Sequence, residues 1–111
     1  MTISYTERTD AYVPYDKYYF NIQTLEFYDD YGDSGKIEDL PYREKWAIEV
    51  IYTANYILNS CAHEYGLSNA ECVKVADRAR EYMSGDGVTE DEAIFYALEY
   101  YEYEPLEGED D

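Results

Sequence analysis

Residues 43–66, REKWAIEVIYTANYILNSCAHEYG, decide the fold class because they carry the clearest periodic pattern in the chain. Apolar side chains recur in this stretch at the i, i+3, i+4, i+7 spacing of one helix face. The positions on that face are Ala47, Val50, Ile51, Ala54, Leu58, Cys61, Ala62 and Tyr65. Gly66 follows them, where helices commonly end in a left-handed glycine. The pattern predicts a core helix over residues 42–65.

Two further helices are predicted, and each begins with a capping box. Ser68 with Glu71 opens the first, and Thr89 with Glu92 opens the second. Their apolar stripes are formed by Cys72, Val75, Ala76, Ala79 and Met83 in the first helix and by Ile94, Ala97, Leu98 and Tyr101 in the second.

The expected bounds of these two helices are residues 69–84 and 89–103, with Gly85 ending the first of them. The links between the three predicted helices are short. Short links favour helices that pack on their sequence neighbours.

The Tyr-rich segment KYYFNIQTLEFYDD, residues 17–30, is ambiguous. Its aromatic residues and the partial alternation of Phe20 and Ile22 favour a strand, whereas Tyr18, Ile22 and Leu25 have helical spacing. We prefer a helix and keep the strand as the alternative. The predicted fold class is therefore mainly α, with α+β as the alternative.

The stretch DDYGDSGKIEDLP, residues 29–41, indicates a loop by its Gly, Asp and Ser content. It resembles a calcium loop only faintly. Counted from Asp30, position three is Gly32 and position twelve is Pro41, where an EF-hand supplies a bidentate glutamate. A solvated acidic loop is the preferred interpretation, and Pro41 lies where the first core helix can begin.

The length of 111 residues suits one domain, residues 1–111, with residues 105–111 as a mobile acidic tail. The start MTISYTERTD lacks the apolar run of a secretion signal, and the most apolar stretch is interrupted by Glu49 and Asn55. We expect a soluble, cytoplasmic protein without a membrane span. The two cysteines are then expected to be reduced thiols.

No pattern of catalytic or metal-binding residues is convincing. Cys61 and His63 are two positions apart, so on a helix they point about 200° apart around the axis and do not converge on one ion. Phosphate-binding glycine loops and nucleophile elbows are absent from the sequence. We expect no enzymatic activity, no cofactor and no metal site, and an acidic metal buffer is the weakest of the functions considered.

Charge is the most informative property of the chain. The formal net charge is −18 at pH 7. Residues 1–40 hold nine acids and three bases, residues 41–85 hold six acids and five bases, and residues 86–111 hold eleven acids and no base. A magnitude of about 2–8 normally keeps a small domain soluble. The excess therefore favours a cationic partner.

The acids of the predicted third helix are spaced for one outward face. Glu92, Glu99 and Glu102 are seven and three residues apart, which on a helix gives about 10 Å and about 5 Å along the axis. These separations bracket the spacing of successive phosphates on a nucleic-acid strand. Tyr100 and Tyr103 lie beside them and supply flat area that can stack on arginine or fill a pocket meant for a base.

The predicted partner-binding residues combine this face with the acidic loop. The phosphate-like carboxylates are those of Asp29, Asp30, Asp33, Glu92, Glu99, Glu102 and Glu104, and the aromatic anchors are Tyr100 and Tyr103.

In size, charge and segments such as EYYEYEPLEGEDD and EFYDDYGD, the chain resembles the small acidic anti-defence proteins of phages and mobile elements. That group includes anti-CRISPR, anti-restriction and uracil-DNA-glycosylase-inhibitor proteins. The resemblance covers no alignable motif, so no residue role is transferred by position. It implies a stoichiometric inhibitor that mimics DNA in the host bacterial cytoplasm and fills the basic groove of a CRISPR effector, the favoured target, or of a restriction-type enzyme. No direct binding to nucleic acid or membrane is expected.

The alternative is an acidic adaptor or chaperone-like protein that binds one basic protein segment. A homodimer is possible in that case, because apolar helix faces would be shared between subunits.

Overall fold

The computed structural model describes residues 12–105, in which four β-strands precede four α-helices. The strands are β1 (Val13–Tyr15), β2 (Tyr18–Asn21), β3 (Glu26–Tyr28) and β4 (Ser34–Lys36). The helices are α1 (Lys45–Ser60), α2 (Ala62–Tyr65), α3 (Asn69–Asp86) and α4 (Glu90–Tyr100), and two 3-10 turns, Ile37–Asp39 and Tyr42–Glu44, precede α1. The three predicted core helices are confirmed, and the fold is α+β. Apart from Pro105, the predicted mobile tail lies outside the described residues.

The Tyr-rich segment forms strands, so our preference for a helix there is wrong. The four strands make an antiparallel meander in the order β1-β2-β3-β4. Phe20, at the centre of β2, is paired with Val13 on one side and with Phe27 on the other. All three side chains are buried on the same face of the sheet. In a strand every second side chain lies on the same face, so large aromatic and β-branched residues at alternate positions can be buried together and stabilise the sheet. Here that burial outweighs the helical spacing of Tyr18, Ile22 and Leu25.

Turn chemistry fixes the connections of the meander. The Asn21 carboxamide oxygen accepts the backbone N–H groups of Gln23 and Thr24 at 2.9 and 3.1 Å. Leu25 then takes a left-handed φ of 61°. An asparagine that bonds the backbone two residues ahead competes with helix formation, which is why a helix does not continue through this point.

The predicted acidic loop is partly regular. Its first half forms the turn between β3 and β4, and its second half supplies β4 and a 3-10 turn. Gly35 in β4 lies opposite Phe27, and a Cβ on it would lie 3.5 Å from the Phe27 ring. A strand this short, containing glycine, gives no periodic signal of its own, so pairing with β3 defines it.

The helix caps lie largely where the sequence places them. Both capping boxes are present, at Ser68 and at Thr89, and Gly66 ends α2 in the left-handed region. Two ends differ. Helix α3 runs through Gly85 and is followed by Gly87 at φ 70°, and α4 ends at Tyr100 instead of residue 103.

The predicted first helix is divided at Cys61, which separates α1 from the single turn α2. The two polar residues that interrupt its apolar stretch have tertiary partners. Asn55 donates from Nδ2 to the carbonyl oxygen of Ile22 at 2.6 Å, and Glu49 accepts from Arg80 of α3 at 2.7 Å. These contacts attach α1 to the sheet and to α3.

One hydrophobic core joins the sheet to the helices. Its largest fully buried side chains include Phe20 of β2, Ile22 directly after β2, Ile37 after the sheet, and Ile51 and Ile57 of α1. Helix α3 packs on both α1 and α4, and it meets the sheet at β1. Within residues 12–105 no helix is both long enough and apolar enough to cross a bilayer.

Tyr15 is the polar connection between the sheet and the helices. Its hydroxyl donates to Oδ1 of Asp77 in α3 at 3.0 Å and accepts from Nε1 of Trp46 in α1 at 3.0 Å. Burial, followed by the charge of Asp77, raises the pKa of Tyr15 well above its usual range. The neutral hydroxyl therefore stabilises the native state.

Tyr15→Phe is expected to destabilise the protein by about 1–3 kcal/mol at pH 7, because it leaves Asp77 and Trp46 without this hydrogen-bond partner. The parent should lose stability as the pH rises above about 10, since the unfolded chain ionises Tyr15 before the folded one does. The variant has no hydroxyl at position 15, so it does not lose stability by this ionisation. Urea unfolding at pH 7 and at about pH 10.5 should therefore show a smaller gap between parent and variant at the higher pH.

Tyr31→Phe is the matched control, because Tyr31 is 93% exposed. This substitution should change the free energy of unfolding little at either pH. An unchanged gap between parent and Tyr15→Phe at the two pH values would contradict the role of the Tyr15 hydroxyl.

Candidate functional site

The bases of the described chain are already engaged within it. Six ion pairs between residues 12 and 105 use only four carboxylates, those of Glu26, Glu44, Glu49 and Glu81. The remaining base, Lys74, lies over the rings of Tyr101 and Tyr103 at 4.5 and 5.3 Å. Most described carboxylates therefore form no ion pair with a described base, so the negative charge is concentrated at the surface.

The first group of predicted site residues lies at the β3–β4 turn. We call Asp29, Asp30 and Asp33 the hairpin acids. Oδ1 of Asp29 accepts the backbone N–H groups of Tyr31 and Asp33, each at 2.9 Å, so this carboxylate holds the turn. Asp30 and Asp33 are exposed. The turn therefore presents Asp30 and Asp33 to a partner, whereas Asp29 has a structural use.

The second group, the C-terminal acids, consists of Glu92, Glu99, Glu102 and Glu104. All four are exposed. Oε1 of Glu92 accepts the backbone N–H of Thr89 at 3.2 Å and completes the capping box of α4. Because α4 ends at Tyr100 and Glu102 has a left-handed φ of 63°, the expected helical row stops after Glu99. Glu102 and Glu104 continue as an irregular acidic segment.

The two predicted anchor tyrosines pack on α3. The Arg78 guanidinium lies 4.0 Å from the centroid of the Tyr100 ring, which is still 55% exposed. Tyr103 is half-buried, and its hydroxyl donates to Oε2 of Glu71 at 3.3 Å. Lys74 lies above the Tyr103 ring. Tyr100 thus keeps an exposed face, whereas Tyr103 mainly attaches the C-terminal segment to α3.

Glu71 connects this packing to the helix cap. Its Oε1 accepts the backbone N–H of Ser68 at 2.8 Å, which is the main reason that the pKa of Glu71 is lowered, and the Tyr103 hydroxyl acts in the same direction. The sequence did contain a signal for this contact surface. Lys74 and Arg78 are four residues apart on one face of α3, and a tyrosine-rich segment follows in the next helix.

The hairpin acids and the C-terminal acids lie on different parts of the fold. The hairpin acids lie between β3 and β4, at the sheet edge opposite β1, whereas α4 packs on α3. Among residues 12–105, no hydrogen bond or ion pair joins the two groups. The structure therefore offers two acidic surfaces, and the sequence did not distinguish between them.

A groove between α1, α2 and α4 is a feature that the sequence analysis missed. It has a volume of about 260 Å³, and its lining includes Cys61, Ile94, Phe95 and Leu98. Phe95 is 52% exposed. The available signal was this phenylalanine, which lies off the apolar stripe of an otherwise acidic helix.

Two carboxylates flank the groove. Asp91 accepts the Tyr56 hydroxyl at 2.6 Å, and Glu64 lies on α2. Burial raises the pKa of the Cys61 thiol, and the charges of Glu64 and Asp91 add to that effect. The second cysteine, Cys72, is fully buried, and burial raises its pKa to about 12. Cys61 is thus the more reactive thiol.

The fold and these surfaces define a small α+β domain with an unusually acidic exterior. Comparisons of the chain with protein-family models, curated proteins and solved structures find no match. The charge, the exposed aromatic residues and the groove are the features of this domain that bear on its function.

Proposed function

We propose that this protein is a stoichiometric inhibitor that binds a basic nucleic-acid-binding protein and occupies its nucleic-acid groove. CRISPR effector complexes are the first expected targets, and restriction-type enzymes are the second. The observation that carries the proposal is the imbalance of charge. Every described lysine and arginine contacts an acid or a tyrosine of the same chain, while the exposed carboxylates of the two acidic surfaces form no ion pair with a described base.

Such a surface suits a groove lined with lysine and arginine. The field of an acidic protein steers it toward a basic groove and raises the association rate, while shape and aromatic contacts provide specificity. Glu92 and Glu99 are two turns apart on α4, about 10 Å along its axis. Carboxylates at this separation can take the places of phosphates that lie a few nucleotides apart.

The exposed tyrosines support the same assignment. Tyr100 is 55% exposed next to Glu99, and Tyr31 is 93% exposed between Asp30 and Asp33. Tyrosine and arginine are enriched at the centres of protein interfaces, and tyrosine rings stack on guanidinium groups. Each acidic surface thus combines carboxylates with an exposed ring.

The proposal is tested by displacement of DNA. A fluorescently labelled target duplex is bound to a purified CRISPR effector complex, and the protein is added while anisotropy is measured. We expect the duplex to be displaced with an endpoint near one protein per effector, and we expect the apparent affinity to fall as salt is raised. A restriction endonuclease with its cognate duplex serves as the second target.

Failure to displace DNA from either class of enzyme would contradict the inhibitor proposal. Tight binding to a basic protein that excess duplex DNA does not reverse would instead support the adaptor. The salt dependence serves as an internal control, because a contact without electrostatic character would not weaken between low and moderate salt.

A further inference from the structure

We infer that the groove between α1, α2 and α4 binds one arginine side chain of the basic protein partner. This inference rests on the proposed function in one respect, namely that the partner is a basic protein.

The groove has the size of a side-chain pocket. Its volume is about 260 Å³. Pockets for drug-sized ligands are typically about 300–1,000 Å³. It is open to solvent along α4, where Phe95 stands 52% exposed. One long side chain entering from a partner surface fits such a groove better than a free small molecule does.

The floor and the rim of the groove differ in polarity. Ile94, Leu98 and Cys61 provide an apolar floor, and the ring of Phe95 provides one wall. Glu64 and Asp91 add carboxylates, and none of the described residues that line the groove is basic. A side chain with a long aliphatic stem and a cationic end matches an apolar floor with an acidic rim. Such side chains bury the stem on apolar surface and keep the charged group at a polar rim.

The electrostatics of the groove point to a cation. The charges of Glu64 and Asp91 both act on the Cys61 thiol, and Glu64 and Glu99 both act on the neighbouring Tyr65 hydroxyl. Burial is the largest cause of the raised pKa in each case. The groove is thus partly desolvated and lies in a negative field, where a cation is favoured.

Arginine fits better than lysine for geometric reasons. Its planar guanidinium can stack on Phe95 or Tyr56 and can also donate two parallel hydrogen bonds to one carboxylate. Oδ1 of Asp91 already accepts from Tyr56, which orients the Asp91 carboxylate toward the seam between α1 and α4. Lysine would contribute a point charge without stacking or bidentate geometry.

Glu99, one of the C-terminal acids, connects the groove to the proposed inhibitory surface, because it directly follows Leu98 of the groove lining on α4. An arginine in the groove would therefore place the rest of a basic partner against α4. The hairpin acids are not part of this contact, since they lie at the far edge of the sheet.

The test uses blocked hexa-arginine and hexa-lysine peptides, which carry equal charge. Cys61 serves as the probe, since the buried Cys72 reacts much more slowly with a neutral disulfide reagent. We expect saturating hexa-arginine to slow the reaction of Cys61 by about fivefold or more, and hexa-lysine to slow it less. Equal protection by the two peptides, or none, would overturn the inference.

The variants Phe95→Ala and Glu64→Gln should each weaken hexa-arginine binding by about tenfold, because the first removes the ring for stacking and the second removes a charged hydrogen-bond acceptor. Glu38→Gln is the control for charge. It removes the same charge from an exposed position in the 3-10 turn before α1, and should change the affinity by less than about twofold. Unchanged binding by both groove variants would overturn the inference.

The DNA-displacement assay separates this inference from the proposed function. If Phe95→Ala and Glu64→Gln inhibit like the parent while reversal of the C-terminal acids abolishes inhibition, the groove assignment is wrong and the inhibitor proposal stands. If the parent displaces no DNA but hexa-arginine protects Cys61 selectively, the inhibitor proposal is wrong and the groove assignment stands.

Discussion

Reversing two of the C-terminal acids, with Glu99→Lys and Glu102→Lys together, is expected to weaken inhibition about 100-fold. Each reversal replaces an attraction to a basic groove by a repulsion, and close charge pairs across interfaces are worth at least about 1.4 kcal/mol, or about tenfold each. The double variant should fold as stably as the parent. Both positions are exposed, and a lysine in the last turn of α4 or just beyond it is favourable to the helix dipole.

Two further double variants carry the same change in net charge and identify the surface that is used. Asp30→Lys with Asp33→Lys reverses the hairpin acids and leaves the structural Asp29 in place. Glu38→Lys with Asp86→Lys reverses two exposed acids outside both groups. All three variants are compared in the DNA-displacement assay at one salt concentration, with thermal unfolding as the check on folding.

A specific acidic surface predicts that the three variants differ. Loss of inhibition by the C-terminal pair alone would assign binding to α4, and loss by the hairpin pair alone would assign it to the β3–β4 turn. Equal losses in all three would show that net charge alone drives the association, which is incompatible with a defined phosphate-like arrangement.

Phe20→Ala is expected to cost about 3–5 kcal/mol of unfolding free energy, which is a large part of the stability of a small domain. Phe20 is 0% exposed and lies at the centre of the sheet, between Val13 of β1 and Phe27 of β3. Its ring also packs on Tyr18, with centroids 5.8 Å apart. Truncation leaves a cavity where the sheet meets the helices, and urea unfolding measures the loss.

Phe95→Ala is the control for this substitution, because it removes the same atoms from a side chain that is 52% exposed. It should cost less than about 1 kcal/mol, as surface changes usually do. Similar losses for the two variants would contradict the placement of Phe20 in the core. A small effect of Phe95→Ala on stability also makes it suitable for the groove experiment.

The helices could be predicted from the sequence because their signals are local. Ser68 with Glu71 and Thr89 with Glu92 satisfy backbone groups within four residues, so no tertiary information is needed to place the beginnings of α3 and α4. The ends were less accurate. The predicted end of α3 is Gly85, but the helix runs through Gly85 and is followed by the left-handed Gly87.

The sheet was predicted only as the alternative, because its stabilising contacts are not local. Tyr18, Ile22 and Leu25 have helical spacing, whereas Phe20 and Ile22 alternate as in a strand. The pairing of Phe20 with Val13 and with Phe27 decides between the two. Strand β4 illustrates the same limit. Its sequence, Ser34-Gly35-Lys36, has little strand propensity, and only its register against Phe27 defines it.

Of the predicted site residues, the sequence anticipated the exposure of several acids but not the contacts of Asp29 and Tyr103. The exposure of Asp30, Asp33, Glu99 and Glu104 follows from their charge, since a carboxylate without a partner remains in water. The uses of Asp29 in a turn and of Tyr103 on α3 depend on distances between chain segments. The position of Phe95 off the apolar stripe was the one sequence signal for the groove, but its lining could not be predicted, because Cys61 and Phe95 are 34 positions apart in the sequence and meet only after packing.

The sequence by itself determined the helical centre, the caps and the excess of negative charge, because each depends on composition or on neighbours within a few residues. Only the tertiary structure decided that the tyrosine-rich start forms a sheet, that the acids divide between two surfaces, and that a groove with an apolar floor lies beside one of them. The physical reason is that burial, strand pairing and the mutual position of helices arise from contacts between residues far apart in the chain.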